Sequence, residues 1–142
     1  MQVQKILNTK GVVVVTTTPE ASVAEAVRLL KEHRIGAVVV LGSGGAVAGI
    51  LSERDIVRGL PEHGASVLDR TVGELMTRAV MTCTPHSHVE DMMRDMTAGR
   101  FRHIPVVDGG RLTGIVSIGD LVKHRLEQLE AETQQLQTYI QS

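Results

Sequence analysis

The sequence predicts a mixed α/β (α+β) fold, in which tandem β-α-β-β-α repeats pack as one pseudo-twofold module followed by a C-terminal helix. Two internal similarities indicate the duplication. Thr18–Gly42 aligns with Thr84–Asp108 without a gap, and GILSERDIVRG from Gly49 returns nearly unchanged as GIVSIGDLVKH from Gly114. At 142 residues the chain suits one compact domain, because each repeat alone is too small to bury its sheet.

Each repeat begins with a β-branched run that a proline ends, and such a run predicts a strand. These runs are Val12–Thr17 and Val80–Thr84. Two predicted hairpins follow farther along the chain, across the turns GSGG and DGG. Their strands are Ala37–Leu41 with Val47–Leu51, and His103–Val107 with Leu112–Ser117. The uncharged stretch Ile35–Ser52 therefore favours a hairpin over a membrane span.

Between the opening strand and the hairpin, each repeat carries helix signals. Capping boxes mark both helix starts: Ser22 with Glu25, and Ser87 with Glu90. Apolar residues then recur at helical spacing, which predicts a buried stripe on each helix. The stripes are Val23, Ala26, Val27 and Leu30 in the first repeat, and Val89, Met92, Met93 and Met96 in the second. The methionines are therefore expected in the core.

The Ser-x-x-Asp stretches open the last helix of each repeat, and Leu60–Arg70, with its proline, glycine and charges, is the predicted connector. We expect one module over residues 1–142, with repeats at 8–66 and 75–131 and a C-terminal helix over 121–141. That helix carries a heptad stripe, which packs either on its own domain or on a second copy. The stripe consists of Val122, Leu126, Leu129, Thr133, Leu136 and Ile140.

Composition excludes several kinds of partner. The net charge is −1, and the chain has no Trp, one Phe and one Tyr, so neither nucleic acid nor a membrane surface is an expected partner. The single Cys83 and the lack of a signal peptide favour a reducing, cytoplasmic location. His86 and His88 have no third ligand nearby in sequence, so no metal site is predicted. No nucleophile lies beside a base, so no enzyme is predicted.

The repeated serine and aspartate have a simple structural explanation as helix caps. Ser52 with Asp55, and Ser117 with Asp120, satisfy orphan N–H groups and complement the helix dipole. A helix start after a strand is also an anion site, and an aspartate there can accept hydrogen bonds from two neighbouring hydroxyls, as in a ribose diol.

The strands that face these motifs carry complementary groups. Arg100, Arg102 and His103 supply charge for phosphates, and Arg54 lies inside the first motif. Apolar side chains and closely approachable backbone for a flat base come from Ile35, Gly36, Ala37 and Phe101.

The duplicated unit, with HRIGAVVVLGSGGAVAGILSERDIV and RFRHIPVVDGGRLTGIVSIGDLV, closely resembles the cystathionine-β-synthase (CBS) domain pair, or Bateman module. The resemblance implies clefts between the repeats that bind adenosine-containing ligands (AMP, ADP, ATP, NAD or S-adenosylmethionine), with no required cofactor. It also implies a disc-like homodimer. By this likeness Asp55 and Asp120 hold ribose hydroxyls, and Ser52 and Ser117 contact ribose or phosphate.

The resemblance implies roles for further residues. Arg54 would contact a phosphate, the backbones of Ile35–Ala37 and Phe101–Ile104 (Phe101, Arg102, His103 and Ile104) would frame the base, and Thr77 and Val80 would line the first cleft. The two clefts should differ, since Glu53-Arg54 in the first motif corresponds to Ile118-Gly119 in the second. On this interpretation the second cleft lacks both the cation and the extra anion.

The function expected from these features is regulatory. Ligand binding across both repeats would change their relative packing and signal to a separate effector protein or to the dimer interface. The alternative is a structural or protein-interaction module without a ligand, in which the Ser/Asp pairs only cap helices.

Overall fold

The first repeat folds into a three-stranded sheet with helices at its ends. The computed structural model describes residues 1–10 and 14–141. The elements are α1 (Val3–Lys10), β1 (Thr16–Thr17), α2 (Val23–His33), β2 (Ala37–Leu41), β3 (Val47–Ser52) and α3 (Glu53–His63). β1 pairs parallel with β2, and β2 pairs antiparallel with β3, so the predicted hairpin is confirmed. Of the predicted opening strand, Val12 and Val13 lie outside the described residues, and only Thr16–Thr17 form a strand.

The second repeat contains an equivalent helix and hairpin. Its elements are α4 (Val72–Leu75), α5 (Val89–Gly99), β4 (His103–Asp108), β5 (Arg111–Ser117) and the long α6 (Ile118–Gln141). β4 and β5 are antiparallel, as predicted, and their pairing shifts register between Val106 and Val107. The β2–β3 pairing shifts at the corresponding place, between Val40 and Leu41, so the duplication extends to the bulges.

The predicted strand Val80–Thr84 is wrong as a regular strand. Only Cys83 forms a bridge, parallel to Val106, with its N–H donating to Pro105 O at 3.0 Å. The next rung of a parallel ladder would need an N–H from residue 105, and proline has none. In the first repeat Val39 occupies that position and pairs with Thr16.

Only one of the two predicted capping boxes contains a helix cap. Ser22 Oγ accepts the Glu25 N–H at 3.2 Å, as predicted. The N-cap of α5 is His88, whose side chain makes no cap bond, so the cap predicted at Ser87 is wrong. Ser87 Oγ instead accepts the Thr84 N–H at 3.0 Å, because a hydroxyl that follows a proline-containing turn can bond back to the turn.

The helix before each repeat packs on the other repeat. Val3 and Ile6 of α1 lie in the core of the second repeat, with Met96, Ile104 and Leu121. Val72 and Met76, at α4, lie in the core of the first, with Leu30, Val38 and Leu51. This exchange joins the two repeats.

The connector is more ordered than its composition predicts. α3 continues through Pro61 to His63, and a 3-10 helix follows over Gly64–Asp69, so most of the predicted connector, Leu60–Arg70, is helical. Val67 is buried and anchors this segment.

Candidate functional site

The first Ser-x-x-Asp motif holds its aspartate in a fixed position at the start of α3. Asp55 Oδ2 accepts the Ser52 N–H at 2.9 Å, and Ser52 Oγ accepts the Asp55 N–H at 3.4 Å, which completes a capping box. The other oxygen, Oδ1, accepts the Thr77 hydroxyl at 3.1 Å. Thr77 follows α4, so the segment after this helix lies against the first motif. The carboxylate is half-buried, and the Thr77 hydroxyl that donates to it comes from outside the β2–β3 hairpin.

The second motif repeats the cap but has a different neighbour. Asp120 Oδ2 accepts the Ser117 N–H at 2.9 Å, and Asp120 N–H donates to Ser117 Oγ at 3.2 Å. Lys10 Nζ lies 2.6 Å from the same Oδ2 and 2.9 Å from the carbonyl oxygen of Ile115. Burial raises the pKa of Asp120, but the bonds from Lys10 and Ser117 outweigh it and hold that pKa below its usual range. This aspartate is therefore already an ion-paired anion.

The segments before the two hairpins meet between the repeats. The His103 imidazole lies 3.6 Å from the position that a Cβ on Gly36 would occupy. In each repeat the first N–H of the last helix donates to this segment, Glu53 to Gly36 O at 3.0 Å and Ile118 to Arg102 O at 2.9 Å. Burial, together with the positive charge of Lys10, lowers the pKa of His103, although Asp120 opposes the shift. Neutral histidine is therefore favoured at this junction.

A groove of ≈ 870 Å³ separates α3 from the end of α5. Its lining includes four arginines, one carboxylate and the aromatic ring of Phe101, and consists of Glu53, Arg54, Val57, Arg58, Met96, Thr97, Arg100, Phe101, Arg102 and Ile118. Arg54 Nη1 donates to the carbonyl oxygen of Arg100 at 3.3 Å, so this arginine spans the two repeats. The excess of guanidinium groups makes the groove attractive to an anion such as phosphate.

The structure brings together only part of the predicted set. Arg54, Phe101 and Arg102 line the groove, whereas the carboxylates of Asp55 and Asp120 face Thr77 and Lys10. The other predicted residues are not among those that line this groove: Ile35, Gly36, Ala37, Ser52, Val80, His103, Ile104 and Ser117. The side chains of Ala37 and Ile104 are buried in the core, so these residues can offer a ligand only their backbone.

Lys10 is the functional candidate that the sequence interpretation missed. It corrects the prediction that the second cleft lacks a cation, since the ammonium lies directly on Asp120. A signal was available in the sequence, because VQKIL from Val3 matches VGELM from Val72 in its apolar positions. That match would have placed α1 against the second repeat, as α4 lies against the first.

The glycine that opens each motif permits this close approach. A Cβ on Gly49 would lie 2.5 Å from Thr77 O, and the N–H of Ile50 donates to that oxygen at 3.0 Å. A Cβ on Gly114 would lie 2.5 Å from Leu7 Cδ2. The residues after α4 and the helix α1 can therefore contact β3 and β5, respectively, only where the strand residue has no side chain.

Other chemistry is limited in the described part of the chain. Among residues 1–10 and 14–141, no three His, Cys, Asp or Glu side chains come close enough to hold a metal ion. Burial raises the pKa of Cys83 to about 11, which leaves an unreactive thiol. None of the helices described is long and apolar enough to span a membrane.

Comparison with known proteins gives a consistent picture. A family model described as the CBS domain matches residues 6–62 and again residues 72–127. The mitochondrial CBS domain-containing protein CBSX3 of Arabidopsis thaliana is 39% identical over 128 residues, which cover 87% of this chain. The matched region is 62% of that protein, so this chain spans less than two thirds of its plant relative.

Solved structures share the fold. The CBS-domain containing protein of Agrobacterium tumefaciens is 46% identical, with a TM-score of 0.84 over 88% of this chain and 99% of that one. A CBS domain pair solved in complex with 5'-methylthioadenosine and S-adenosyl-L-methionine is 26% identical, with a TM-score of 0.80 over 90% of this chain and 98% of that one. The second comparison links this fold to adenosine-containing ligands in that protein.

Proposed function

This chain is a pair of CBS domains and belongs to the CBS domain family, and from that premise we propose that it is a regulatory module that binds an adenosine-containing ligand between its repeats. The observation that carries the proposal is the arginine-lined groove next to the first Ser-x-x-Asp helix start. One turn of α3 there presents Arg54 toward the groove and Asp55 toward Thr77. A nucleotide needs both groups, a cation for phosphate and an acceptor for ribose hydroxyls.

AMP, ADP, ATP and NAD are the proposed ligands, and the charge of the groove favours them over uncharged nucleosides. Arg54, Arg58, Arg100 and Arg102 oppose the single carboxylate of Glu53. The related domain pair that holds S-adenosyl-L-methionine and 5'-methylthioadenosine supports the adenosine part of the proposal. The ligand would act by linkage, since a molecule that contacts both repeats stabilises one relative packing over another.

The α6 helix supports a homodimer as the output of this module. Its heptad stripe faces solvent, with Leu126 54%, Leu129 41%, Leu136 63% and Ile140 79% exposed, so packing on the chain's own domain is wrong for this stripe. A second copy fits this face. In a parallel pair, Arg125 would lie at a g position opposite Glu130 at an e position of the second copy, and the charges are complementary.

A thermal-shift panel of AMP, ADP, ATP, NAD, NADH and S-adenosylmethionine tests the ligand class. A ligand at 100 times its dissociation constant adds about 2.7 kcal/mol to the free energy of unfolding if it binds only the folded state. We expect at least one nucleotide to raise the melting temperature. No shift with any member of the panel would contradict the proposal and favour a structural or protein-interaction module.

A further inference from the structure

The two aspartates of the proposed clefts meet chemically different partners. Asp55 accepts a neutral hydroxyl from Thr77 at 3.1 Å, whereas Asp120 accepts the ammonium of Lys10 at 2.6 Å. Lys10 is the last residue of α1 and Thr77 follows α4, and Leu7 and Met76 lie against the equivalent glycines, Gly114 and Gly49. In the match of Val3 with Val72, Thr77 corresponds to Asn8 and not to Lys10, so the two aspartates meet partners that differ in position as well as in residue type.

The Lys10–Asp120 pair is accessible to a solute. The side chains are 39% and 24% exposed, so neither is sealed in the core. Lys10 also donates to the carbonyl oxygen of Ile115 at 2.9 Å, which holds the ammonium over the end of β5. A charge-assisted bond of this length is stronger than a bond between neutral groups. A ribose diol that uses both oxygens of Asp120 therefore competes with Lys10 for Oδ2.

The cost of displacing the ammonium depends on the rest of the ligand. An unphosphorylated nucleoside whose diol takes both carboxylate oxygens displaces Lys10 from Oδ2 and leaves the ammonium without its anion. A nucleotide brings a phosphate that can accept the displaced ammonium, and the four-carbon stem of lysine allows that movement. The second motif has Gly119 where the first has Arg54, so Lys10 supplies the cation that Gly119 lacks.

We propose that Lys10 is the specificity-determining residue of the second cleft, and that it favours adenosine ligands that carry a phosphate over unphosphorylated adenosine at Asp120. This inference rests on the proposed function, because it assumes that Asp120 receives a ribose. It adds that the two clefts reach phosphate selectivity by different routes, Arg54 in the first and Lys10 in the second.

The test is calorimetric titration of the full chain with adenosine and with AMP, with the first cleft silenced by Asp55→Ala. With Lys10 present, AMP binds about tenfold or more tightly than adenosine, as expected for one charge-assisted bond. In Lys10→Met, adenosine binds more tightly than before and AMP more weakly, so the two affinities come within about twofold. Lys10→Arg retains the preference for AMP. Lys5→Met, an exposed lysine on the same helix, leaves it unchanged.

Two results would overturn the inference, and they are distinguishable. If Lys10→Met weakens both ligands equally or leaves the AMP-to-adenosine ratio unchanged, Lys10 has no role in selection, although binding itself stands. If neither ligand, nor any other adenosine compound, binds the unmodified chain with both clefts intact, the proposed function fails and this inference fails with it. Melting curves of Lys10→Met and Lys10→Arg confirm that the variants compared are folded.

Discussion

Arg54 is the residue that most directly joins the two repeats in the groove. It lies in the first turn of α3 and donates to the carbonyl oxygen of Arg100 at the end of α5. Arg100 adopts a left-handed conformation with φ 56°, as Arg34 does with φ 53° at the equivalent end of α2. The non-glycine αL cap thus presents an arginine at the mouth of the groove, at a small conformational cost.

Replacing Arg54 by alanine should weaken phosphate binding selectively. In a chain whose second cleft is silenced by Asp120→Ala, we expect Arg54→Ala to lower the affinity for ADP by about tenfold or more and to change the affinity for adenosine much less. Titration calorimetry measures both. Equal loss for ADP and adenosine would show that Arg54 only holds α3 against Arg100. Arg28→Ala, on the exposed face of α2, is the control.

The paired motif glycines give a stability prediction with an internal control. A methyl group on Gly49 would meet the backbone oxygen of Thr77 at 2.5 Å, which cannot move without breaking its bond with Ile50. The same group on Gly114 would meet Leu7 Cδ2, the end of a flexible side chain. Overpacking costs about 1–3 kcal/mol, so we expect Gly49→Ala to lower the free energy of unfolding more than Gly114→Ala does. Denaturant unfolding of both variants tests this order, and the reverse order would contradict it.

His103 should make stability depend on pH near neutrality. Its pKa is lowered in the folded chain, so below about pH 6.5 the unfolded state binds more protons and stability falls as the pH falls. The loss ends once the pH has passed the lowered pKa. In His103→Gln, the melting temperature should decline less between about pH 7 and pH 5 than in the unmodified chain. An equal decline would contradict the assignment, and His86→Gln, an exposed histidine, is the control.

The helix α6 carries a longer run of exposed residues than any other helix described. Its buried residues are Leu121 and His124, and residues 131–141 are all exposed. Deleting residues 126–142 therefore removes surface rather than core. We expect the truncated chain to remain folded and to show a lower mass in light scattering, because the interface with a second copy is lost.

A point substitution distinguishes the contribution of the heptad stripe to self-association from that of the rest of α6. Leu136→Asp should weaken self-association, whereas Gln135→Asp, one residue away and off the stripe, should not. Unchanged mass for the truncated chain and for Leu136→Asp would show that the stripe does not mediate self-association.

The elements that the sequence predicted well are those whose signal is local. The hairpins and α2 depend on alternation, turn glycines and a cap within a few residues, and Ala37–Leu41 was predicted with its observed bounds. The strand Val80–Thr84 failed because its pairing depends on Pro105, which is distant in sequence and lacks an N–H. Likewise, Ser87 follows a capping pattern, but its hydroxyl bonds to the turn at Thr84.

At the scale of the whole molecule, the exchange of α1 and α4 explains what the candidate site contains beyond its motif. The Ser/Asp pairs were visible in sequence because they repeat in register, but the partners of the aspartates come from the end of α1 and from the residues after α4, and both helices pack on the opposite repeat. Thr77 entered the prediction only through the family resemblance. Lys10 had no such support, and its contact with Asp120 joins residues far apart in the chain.

The same exchange would couple the proposed ligand to the packing of the two repeats. The core of the first repeat includes Val72 and Met76, and that of the second includes Val3 and Ile6. A ligand that drew Asp55 or Asp120 away from its partner would therefore disturb the contacts of α4 or α1. Each of these helices packs on one repeat and is joined in sequence to the other. Coupling between distant sites of this kind is typically about 1–3 kcal/mol.

Calorimetry with AMP on the unmodified chain, Asp55→Ala and Asp120→Ala distinguishes a ligand-binding role of the two aspartates from a role as helix caps alone. As a cap, each carboxylate contributes about 0.3–1 kcal/mol to its helix. As a ribose acceptor, each contributes about 1.5–3 kcal/mol per hydrogen bond, which is a loss of tenfold or more in affinity. We predict that each variant stays folded and loses one of two binding sites. Equal stoichiometry and affinity in all three chains would contradict the ligand-binding role and leave both aspartates as caps.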